Sequence, residues 1–329
     1  MSGLQAGVAN GAGSVAQDAR PSIPLVDLSG LEADADNEAA LQAGKALVEA
    51  FRTAGFAYVK NHGIPDEVVV AAFAWRGYSG IGWEKVTQML FDADEISERR
   101  KIPDLKESYE TGREDDDHLP NIWIPEASLP GFRAFFNGFY ETCYGLELRL
   151  LRGVALGMGL DNDPDFFQRR HVKKNNQIRL LHYPPVEERL LRAGEAERLG
   201  AHTDFGTMTL LFQDDVGGLE VEDPGEPRHF TPVPPVPGTV VVNIGDFLQR
   251  WSNDTLRSTM HRVRAPPLEA SGDGDGLVTR ARYSIPYFIG ADQEETVDCV
   301  PGCFGPGRPK KYDPINSREY IEMRLNATY

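Results

Sequence analysis

The chain has 329 residues, which allows one large domain or two moderate ones, and 41% of them are hydrophobic, which allows a substantial core. The formal net charge of −16 argues against nucleic acid or an anionic membrane surface as a partner, because both attract basic patches. The sequence has no apolar run of about 18 residues or more, so no transmembrane helix is expected.

The composition of the first residues and the cysteine content indicate the cellular compartment of the protein. The first residues are rich in Gly, Ala and Ser and lack a basic start followed by an apolar stretch, so they predict a flexible tail over 1–21 and no signal peptide. Three cysteines at Cys143, Cys299 and Cys303 lack the pairing of a zinc site and indicate reduced thiols. We therefore expect a cytoplasmic protein, and nothing in the sequence indicates an obligate protein partner.

The first half of the chain predicts two short strands and two helices. A β-like run at 22–28 begins the ordered part, and apolar residues at helical spacing predict a helix over 38–53. Residues 55–63 alternate like a strand. Pro65 then opens a second helix that extends to about Ala74, as proline does at a first helical turn.

A long helix is predicted over 130–158, where apolar residues form one broad face that we expect to back a sheet. Its members are Phe132, Phe135, Phe136, Phe139, Cys143, Leu146, Leu150 and Val154. From Gln177 onward, short β-like runs separated by turn residues predict a sandwich or barrel. These runs are 178–183, 208–212, 218–221, 239–244, 258–263 and 282–288.

The segment His202-Thr203-Asp204 is the first candidate for a metal site. Alternate residues of a strand face the same side, so His202 and Asp204 could both approach one ion. The pattern alone is weak, since a chain with 7 His and 50 acidic residues in 329 contains it about once by chance. A second histidine, His261, lies on a later β-like run and completes the two-histidine, one-carboxylate set that suits iron(II), with zinc as the competing metal.

A further pair, Arg282 and Ser284, alternates on the last predicted strand. An arginine binds a carboxylate through two parallel hydrogen bonds, and a hydroxyl adds a third donor. The pair therefore suits the far carboxylate of 2-oxoglutarate, whose 2-oxo acid end could chelate iron and leave one position for dioxygen.

Several segments resemble the isopenicillin N synthase-like family of iron(II)/2-oxoglutarate dioxygenases, over most of the chain from about residue 22. They include Gly55-Phe56-Ala57-Tyr58-Val59-Lys60-Asn61-His62-Gly63-Ile64, Leu180-Leu181-His182-Tyr183-Pro184-Pro185, Ala201-His202-Thr203-Asp204, Val242-Asn243-Ile244-Gly245-Asp246, His261-Arg262-Val263 and Arg282-Tyr283-Ser284-Ile285-Pro286-Tyr287-Phe288. Two others are similar to the fungal branch that includes thymine 7-hydroxylase, namely Asp104-Leu105-Lys106-Glu107-Ser108-Tyr109 and Trp251-Ser252-Asn253-Asp254.

The resemblance implies a mixed α+β protein with a double-stranded β-helix, or jelly roll, and a helical N-terminal half. It implies iron(II), 2-oxoglutarate and dioxygen as cofactor and co-substrates, iron held by His202, Asp204 and His261, and Tyr183 beside Arg282 at the 2-oxoglutarate. The expected division is a tail (1–21), an N-terminal dioxygenase region (22–125), bracing helices (126–172), the jelly-roll domain (173–292) and a C-terminal segment (293–329).

The resemblance also implies a small-molecule substrate, oxidised, most simply hydroxylated, in fungal secondary metabolism while 2-oxoglutarate becomes succinate. The residues expected to face it are Arg179, Phe205, Asn243 and Phe288. Three alternatives stay open: a thymine or pyrimidine hydroxylase, an oxidase that needs no 2-oxoglutarate, and a catalytically dead binding protein. One departure is a segment of about a dozen residues that the family carries and that is missing between Ala74 and Trp75.

Overall fold

The computed structural model describes residues 23–33, 35–74, 104–116, 119–193, 197–264 and 278–328. The junction between Ala74 and Trp75, the tail over 1–21 and the loop after Arg264 therefore lie wholly or partly outside the described residues. Within the described ranges, no helix is both long and apolar enough to cross a membrane.

Two sheets form the centre of the fold. The strands are β1 (Leu25–Asp27), β2 (Phe56–Lys60), β3 (Glu107–Gly112), β4 (Gln177–Tyr183), β5 (Leu199–His202), β6 (Met208–Gln213), β7 (Leu219–Glu222), β8 (Phe230–Pro232), β9 (Val240–Ile244), β10 (His261–Val263), β11 (Arg282–Ile289), β12 (Thr296–Val297) and β13 (Ile315–Asn316). The helices are α1 (Asn37–Thr53), α2 (Asp66–Ala74), α3 (Phe132–Gly157), α4 (Glu188–Ala193), α5 (Asp246–Trp251) and α6 (Ser317–Thr328).

The major sheet has seven strands in the order β1-β2-β9-β6-β11-β4-β3, and the minor sheet has four in the order β5-β10-β7-β8. All pairs in both sheets are antiparallel except β1 with β2. From β4 to β11 the chain crosses from one sheet to the other at every step except the β7–β8 hairpin of the minor sheet. This crossing is the connectivity of a jelly roll. The predicted mixed α+β fold with a jelly-roll core is confirmed.

The long helix α3 covers the outer face of the major sheet, as predicted. Its aromatic residues pack directly on the strands, with ring centroids 5.3 Å apart for Phe139 and Phe212 and 5.4 Å apart for Tyr140 and Tyr287. The predicted apolar face of the helix is buried, apart from Phe135, which is half-buried. Because strand side chains alternate, the residues between these core positions face the interior between the two sheets.

The interior has its own apolar contacts, which hold the two sheets together. One cluster joins Phe56 and Tyr58 of β2 to Leu219 and Val221 of β7. A second joins the inward side chains of β4 to those of the minor sheet, through Leu181, Tyr183, Leu199 and Val263. The polar side chains of the candidate site, described below, lie between these two apolar clusters.

The strand predictions differ from the structure in two places that matter for the site. The run predicted over 258–263 forms a strand only from His261, so that histidine begins β10 rather than lying inside it. Strand β5 was not predicted, and it ends at His202, so Asp204 lies just beyond it. The prediction that His202 and Asp204 share one strand is therefore wrong, because the chain turns away after the histidine.

Candidate active site

The minor sheet brings His202 and His261 side by side. They are direct partners across β5 and β10, and their ring centroids are 4.2 Å apart. Asp204 follows β5 by two residues, and its Oδ1 lies 3.8 Å from Nε2 of His202 and 3.6 Å from Nε2 of His261. Within the described residues, these three form the one group of three or more His, Cys, Asp or Glu side chains whose ligand atoms all lie within 4.8 Å.

The backbone orients both imidazole rings. Nδ1 of His202 lies 2.9 Å from the carbonyl oxygen of Gly200, and Nδ1 of His261 lies 3.2 Å from that of Thr259. A carbonyl only accepts, so each Nδ1 is the protonated donor and each Nε2 keeps its lone pair. Both lone pairs are thus available to a cation, as is usual for metal-binding histidines.

The carboxylate of Asp204 is held by one oxygen only. Its Oδ2 accepts hydrogen bonds from Thr209 Oγ1 at 2.6 Å and from Asn243 Nδ2 at 2.7 Å. Oδ1 therefore remains for an ion. Asn243, which the sequence suggested as a substrate contact, donates its amide to Asp204 in this structure, and Thr209 was missed although it lies inward on β6, directly opposite Asn243.

The electrostatics of the three groups agree with a cation site. Burial lowers the pKa of His202 far below its usual value, and the adjacent His261 lowers it further, so the ring is neutral. Burial by itself would raise the pKa of Asp204, but the two histidines and the bonds from Thr209 and Asn243 outweigh it and hold that pKa below its usual value. Two imidazoles and one carboxylate are a donor set that fits iron(II).

Replacing Asn243 with Ala is expected to weaken iron(II) binding by about 10–100-fold, as loss of a residue that orients a metal ligand does. The reason is that Asp204 Oδ2 loses one of its two donors and the carboxylate can rotate. Anaerobic titration with iron(II) measures the change. The matched control is Asn61→Ala, which removes a similar amide-to-carboxylate bond at the exposed Asp27; equal iron affinity in both variants would contradict the role of Asn243.

Close backbone packing fixes the segment that carries Asp204. A Cβ on Gly245 would lie 2.2 Å from the carbonyl oxygen of Gly206, and a Cβ on Gly206 would lie 2.4 Å from that of Ile289. Only glycine tolerates these approaches. The turn is closed by a hydrogen bond of 2.7 Å from the amide of Asp246 to the carbonyl of Asp204.

The C-terminal helix α6 reaches the same segment through Arg324. Its guanidinium forms an ion pair of 2.7 Å with Asp246 and lies 4.7 Å from the ring centre of Phe205. The carboxylate of Asp246 also accepts a hydrogen bond of 2.9 Å from Thr203, the residue between His202 and Asp204. Arg324 therefore connects helix α6 to the segment from His202 to Asp204, a contact that nothing in the sequence pattern indicated.

Replacing Arg324 with Gln is expected to lower the free energy of unfolding by about 1–3 kcal/mol, because the partly buried Asp246 loses its charged partner. Arg318→Gln, on the same helix with an exposed side chain, is the control and should change stability by less than about 0.5 kcal/mol. Urea unfolding followed by circular dichroism gives both values. Indistinguishable midpoints for the two variants would mean that the contact contributes nothing.

A second polar group lies on the inward face of β11. Arg282 and Ser284 are both 1% exposed, and Arg282 Nη1 donates to Ser284 Oγ at 2.9 Å. Arg282 lies 5.0 Å from the ring centre of Tyr183, its partner on β4, and donates at 3.3 Å to Gln213 on β6. The sequence did not indicate Gln213, although it lies on the same face of β6 as Thr209.

The residues predicted to face a substrate fall into two places. Arg179 forms an ion pair of 2.6 Å with Glu110 of β3 and lies 5.5 Å from the ring centre of Phe288, so these two predicted residues are neighbours. Phe205 lies under Arg324 and directly follows Asp204. Glu110, which was not predicted, places an acceptor beside the donors of Arg179.

A jelly roll whose interior carries two histidines and one carboxylate at a single point is typical of the mononuclear non-haem iron oxygenases. The comparison with known families agrees: the 2OG-Fe(II) oxygenase superfamily matches residues 174–291, and the N-terminal family of non-haem dioxygenases in morphine synthesis matches residues 23–76. The chain belongs to the 2OG-Fe(II) oxygenase superfamily.

Individual relatives extend the likeness over most of the chain. Proline hydroxylase buaE of Petromyces alliaceus is 39% identical over 86% of this chain and 92% of its own. The 2-oxoglutarate-dependent dioxygenase htyE of Aspergillus rugulosus is 37% identical over the same shares. A full-length Neurospora crassa protein, crystallised in complex with alpha-KG and thymine, is 39% identical, with a TM-score of 0.80 over 94% of this chain and 100% of that one.

Family and site together define the chemistry. The protein is an iron(II)- and 2-oxoglutarate-dependent oxidoreductase that acts on a small molecule. The resemblance to iron(II)/2-oxoglutarate dioxygenases inferred from its motifs is confirmed, as are the predicted metal and co-substrate.

Proposed function

We propose that this enzyme hydroxylates a small organic molecule of fungal secondary metabolism, with iron(II) held by His202, Asp204 and His261 and 2-oxoglutarate held by Arg282, Ser284 and Tyr183. The observation that carries the proposal is the convergence of two imidazole Nε2 atoms and one free carboxylate oxygen at a single point. Iron bound there would couple the oxidative decarboxylation of 2-oxoglutarate to succinate with oxidation of the substrate.

The chain's own residues account for the binding of 2-oxoglutarate. Arg282 offers its guanidinium and Ser284 its hydroxyl to the far carboxylate, and both are buried, so water does not compete for them. Burial raises the pKa of Tyr183, which keeps its phenol protonated and able to donate. Gln213 accepts a hydrogen bond from Nη2 of Arg282 and so fixes the orientation of the guanidinium.

The substrate site is proposed at Arg179, Phe288 and Phe205. Arg179 with Glu110 presents a donor and an acceptor beside the ring of Phe288, which suits a planar molecule that carries a hydrogen-bond acceptor. The position of the substrate in this site decides which of its C–H bonds reacts, because a shift of about 1 Å can lower the rate by about 10²-fold.

A screen for substrate-dependent succinate release tests this proposal. Nucleobases, proline and related amino acids, and aromatic polyketides form the panel, and dioxygen consumption is recorded in parallel. We expect one class to give equal amounts of succinate and hydroxylated product in the wild-type enzyme and to lose at least about tenfold in kcat/KM in Arg179→Met. Product without succinate would indicate an oxidase that needs no 2-oxoglutarate, and iron-bound protein that never turns over would indicate a binding protein.

Thymine hydroxylation is the second candidate, favoured by the likeness to the Neurospora crassa protein whose structure contains thymine. Phe205 weighs against it, since a tyrosine at this position would combine stacking with a hydrogen bond to the base. If thymine is the substrate, Phe205→Tyr should raise kcat/KM for thymine; a fall would exclude a polar contact there.

The expectations drawn from charge and cysteine content stay predictions. They are a cytoplasmic location and the absence of nucleic acid, membrane and obligate protein partners. Fractionation of the native protein and its elution volume on a sizing column test them.

A further inference from the structure

A second arginine, Arg198, lies in the interior close to Arg282. It directly precedes β5 and is 0% exposed. Its Nη2 donates to the hydroxyl of Thr279 at 3.0 Å and to the carbonyl of Arg280 at 2.5 Å, in the segment that leads into β11. Arg198 therefore joins the strand that ends in His202 to the strand that begins with Arg282.

The remaining donors of Arg198 have no hydrogen-bond partner among the residues that the structure describes. Its Nε and Nη1 are buried, and neither has a hydrogen-bond partner within the described residues; the same holds for Nε of Arg282. No acidic side chain of the described residues forms an ion pair with Arg198. Asp214 acts on it from further away, but its two carboxylate oxygens accept from the backbone amides of Tyr283 and Val216.

Arg198 and Arg282 interact electrostatically. Burial lowers the pKa of Arg198 to about 10, and the charge of Arg282 contributes to that lowering, so Arg198 remains protonated at neutral pH. Tyr183 contacts the same space, since its ring lies beside Arg282 and packs with Leu199, the neighbour of Arg198. Two buried guanidinium groups thus share one end of the interior.

Buried charges without partners are costly to the folded state, and proteins keep them where a ligand supplies the opposite charge. The far carboxylate of 2-oxoglutarate is the anion that this enzyme's co-substrate brings to Arg282. One carboxylate has lone pairs for about four donors. Both Nη atoms of Arg282 already donate, to Ser284 and Gln213, so the free Nε of Arg282 and the hydroxyls of Ser284 and Tyr183 leave a place for a further donor. The free donors of Arg198 would complete the set.

We propose that Arg198 is a second cationic contact for the far carboxylate of 2-oxoglutarate, so that the carboxylate lies between two buried arginines. This rests on the proposed role of Arg282 and Ser284 as its binding site. The competing explanation is that Arg198 only tethers residues 279–280 to β5 and positions Arg282 from behind.

Anaerobic binding to the iron(II)-loaded protein is followed by the visible charge-transfer band. It separates these explanations when Arg198→Gln is also made in the Arg282→Gln background, where losing a direct contact still lowers 2-oxoglutarate affinity and losing a positioning role does not. Two ligands are compared: 2-oxoglutarate, and 2-oxopentanoate, which chelates iron equally but has no far carboxylate. The variants are Arg198→Gln, Arg198→Lys and Arg282→Gln. Arg280→Gln is the matched control, since that side chain is exposed and pairs with Asp215.

We expect Arg198→Gln to lose about tenfold or more in affinity for 2-oxoglutarate while its affinity for 2-oxopentanoate is unchanged. Arg198→Lys, which keeps a charge but loses the fork, should lie between, and Arg280→Gln should match the wild type. Unchanged 2-oxoglutarate affinity in Arg198→Gln, or equal losses for both ligands, would overturn the proposal. If Arg282→Gln also binds 2-oxoglutarate normally, the proposed clamp itself is wrong, which is a separate failure.

A metal-free measurement covers the case in which Arg198→Gln does not fold. Glutarate has the same chain with a carboxylate at each end and can occupy the arginine pair without iron. It should raise the melting temperature of the wild-type protein and of Arg280→Gln, and raise that of Arg198→Lys by less. Equal shifts in all three would contradict a direct contact.

Discussion

Asp204→Ala is expected to abolish substrate-dependent succinate formation, with a loss of at least about 10³-fold in kcat. The substitution removes the single negative charge among the three proposed ligands and leaves two imidazoles, which by themselves hold iron(II) poorly. Coupled assays of succinate, together with the iron content of the purified protein, measure the effect. Because Asp204 also anchors Thr209 and Asn243, the fold of the variant is checked by circular dichroism.

The controls for this variant separate charge from geometry. Asp204→Glu keeps the charge but moves the oxygen by one methylene, so a trace of activity is expected. Asp163→Ala removes an exposed acid paired with Arg169 and should leave turnover unchanged. Full activity in Asp204→Ala, or in His202→Ala, would refute the metal assignment.

Arg282→Ala should raise the KM for 2-oxoglutarate by about 100-fold while kcat at saturation changes by only a few-fold. The far carboxylate takes no part in the oxidation, so its loss of contacts weakens binding rather than the chemical step. Ser284 and Tyr183 remain in place and account for the residual affinity. The measurement is a full saturation curve in 2-oxoglutarate at fixed substrate.

An exposed arginine on the same segment provides the comparison. Arg280→Ala should leave the KM within about twofold of the wild type, since its side chain pairs only with Asp215 at the surface. A KM for 2-oxoglutarate that does not change in Arg282→Ala would count decisively against the clamp.

Much of the site could be predicted because strand periodicity assigns side chains to faces. Arg282 and Ser284 alternate on β11, and the structure places both on the interior face beside Tyr183, as the alternation implies. Helix α3 could be predicted equally well, since its apolar residues recur at helical spacing over most of its length. These features depend on local pattern, which a single sequence contains.

The remainder depends on which strands become neighbours, and local pattern does not carry that information. Thr209 reaches Asp204 because β6 and β9 pair in one register, and Arg324 reaches Asp246 from a helix far along the chain. The bend after His202 was missed because the tight packing of Gly206 on Gly245 exists only in the folded chain. Arg198 carried no signal, since a lone arginine before a short strand is unremarkable until its burial is known.

Iron(II) titration of the metal-free protein under anaerobic conditions, with 2-oxoglutarate present, tests the central assignment most directly. We predict a visible charge-transfer band that saturates at one iron per chain and is lost in Asp204→Ala, His202→Ala and His261→Ala alike. A band of full intensity in any of these three variants, or its absence in the wild-type protein, would contradict an iron(II) and 2-oxoglutarate centre at His202, Asp204 and His261.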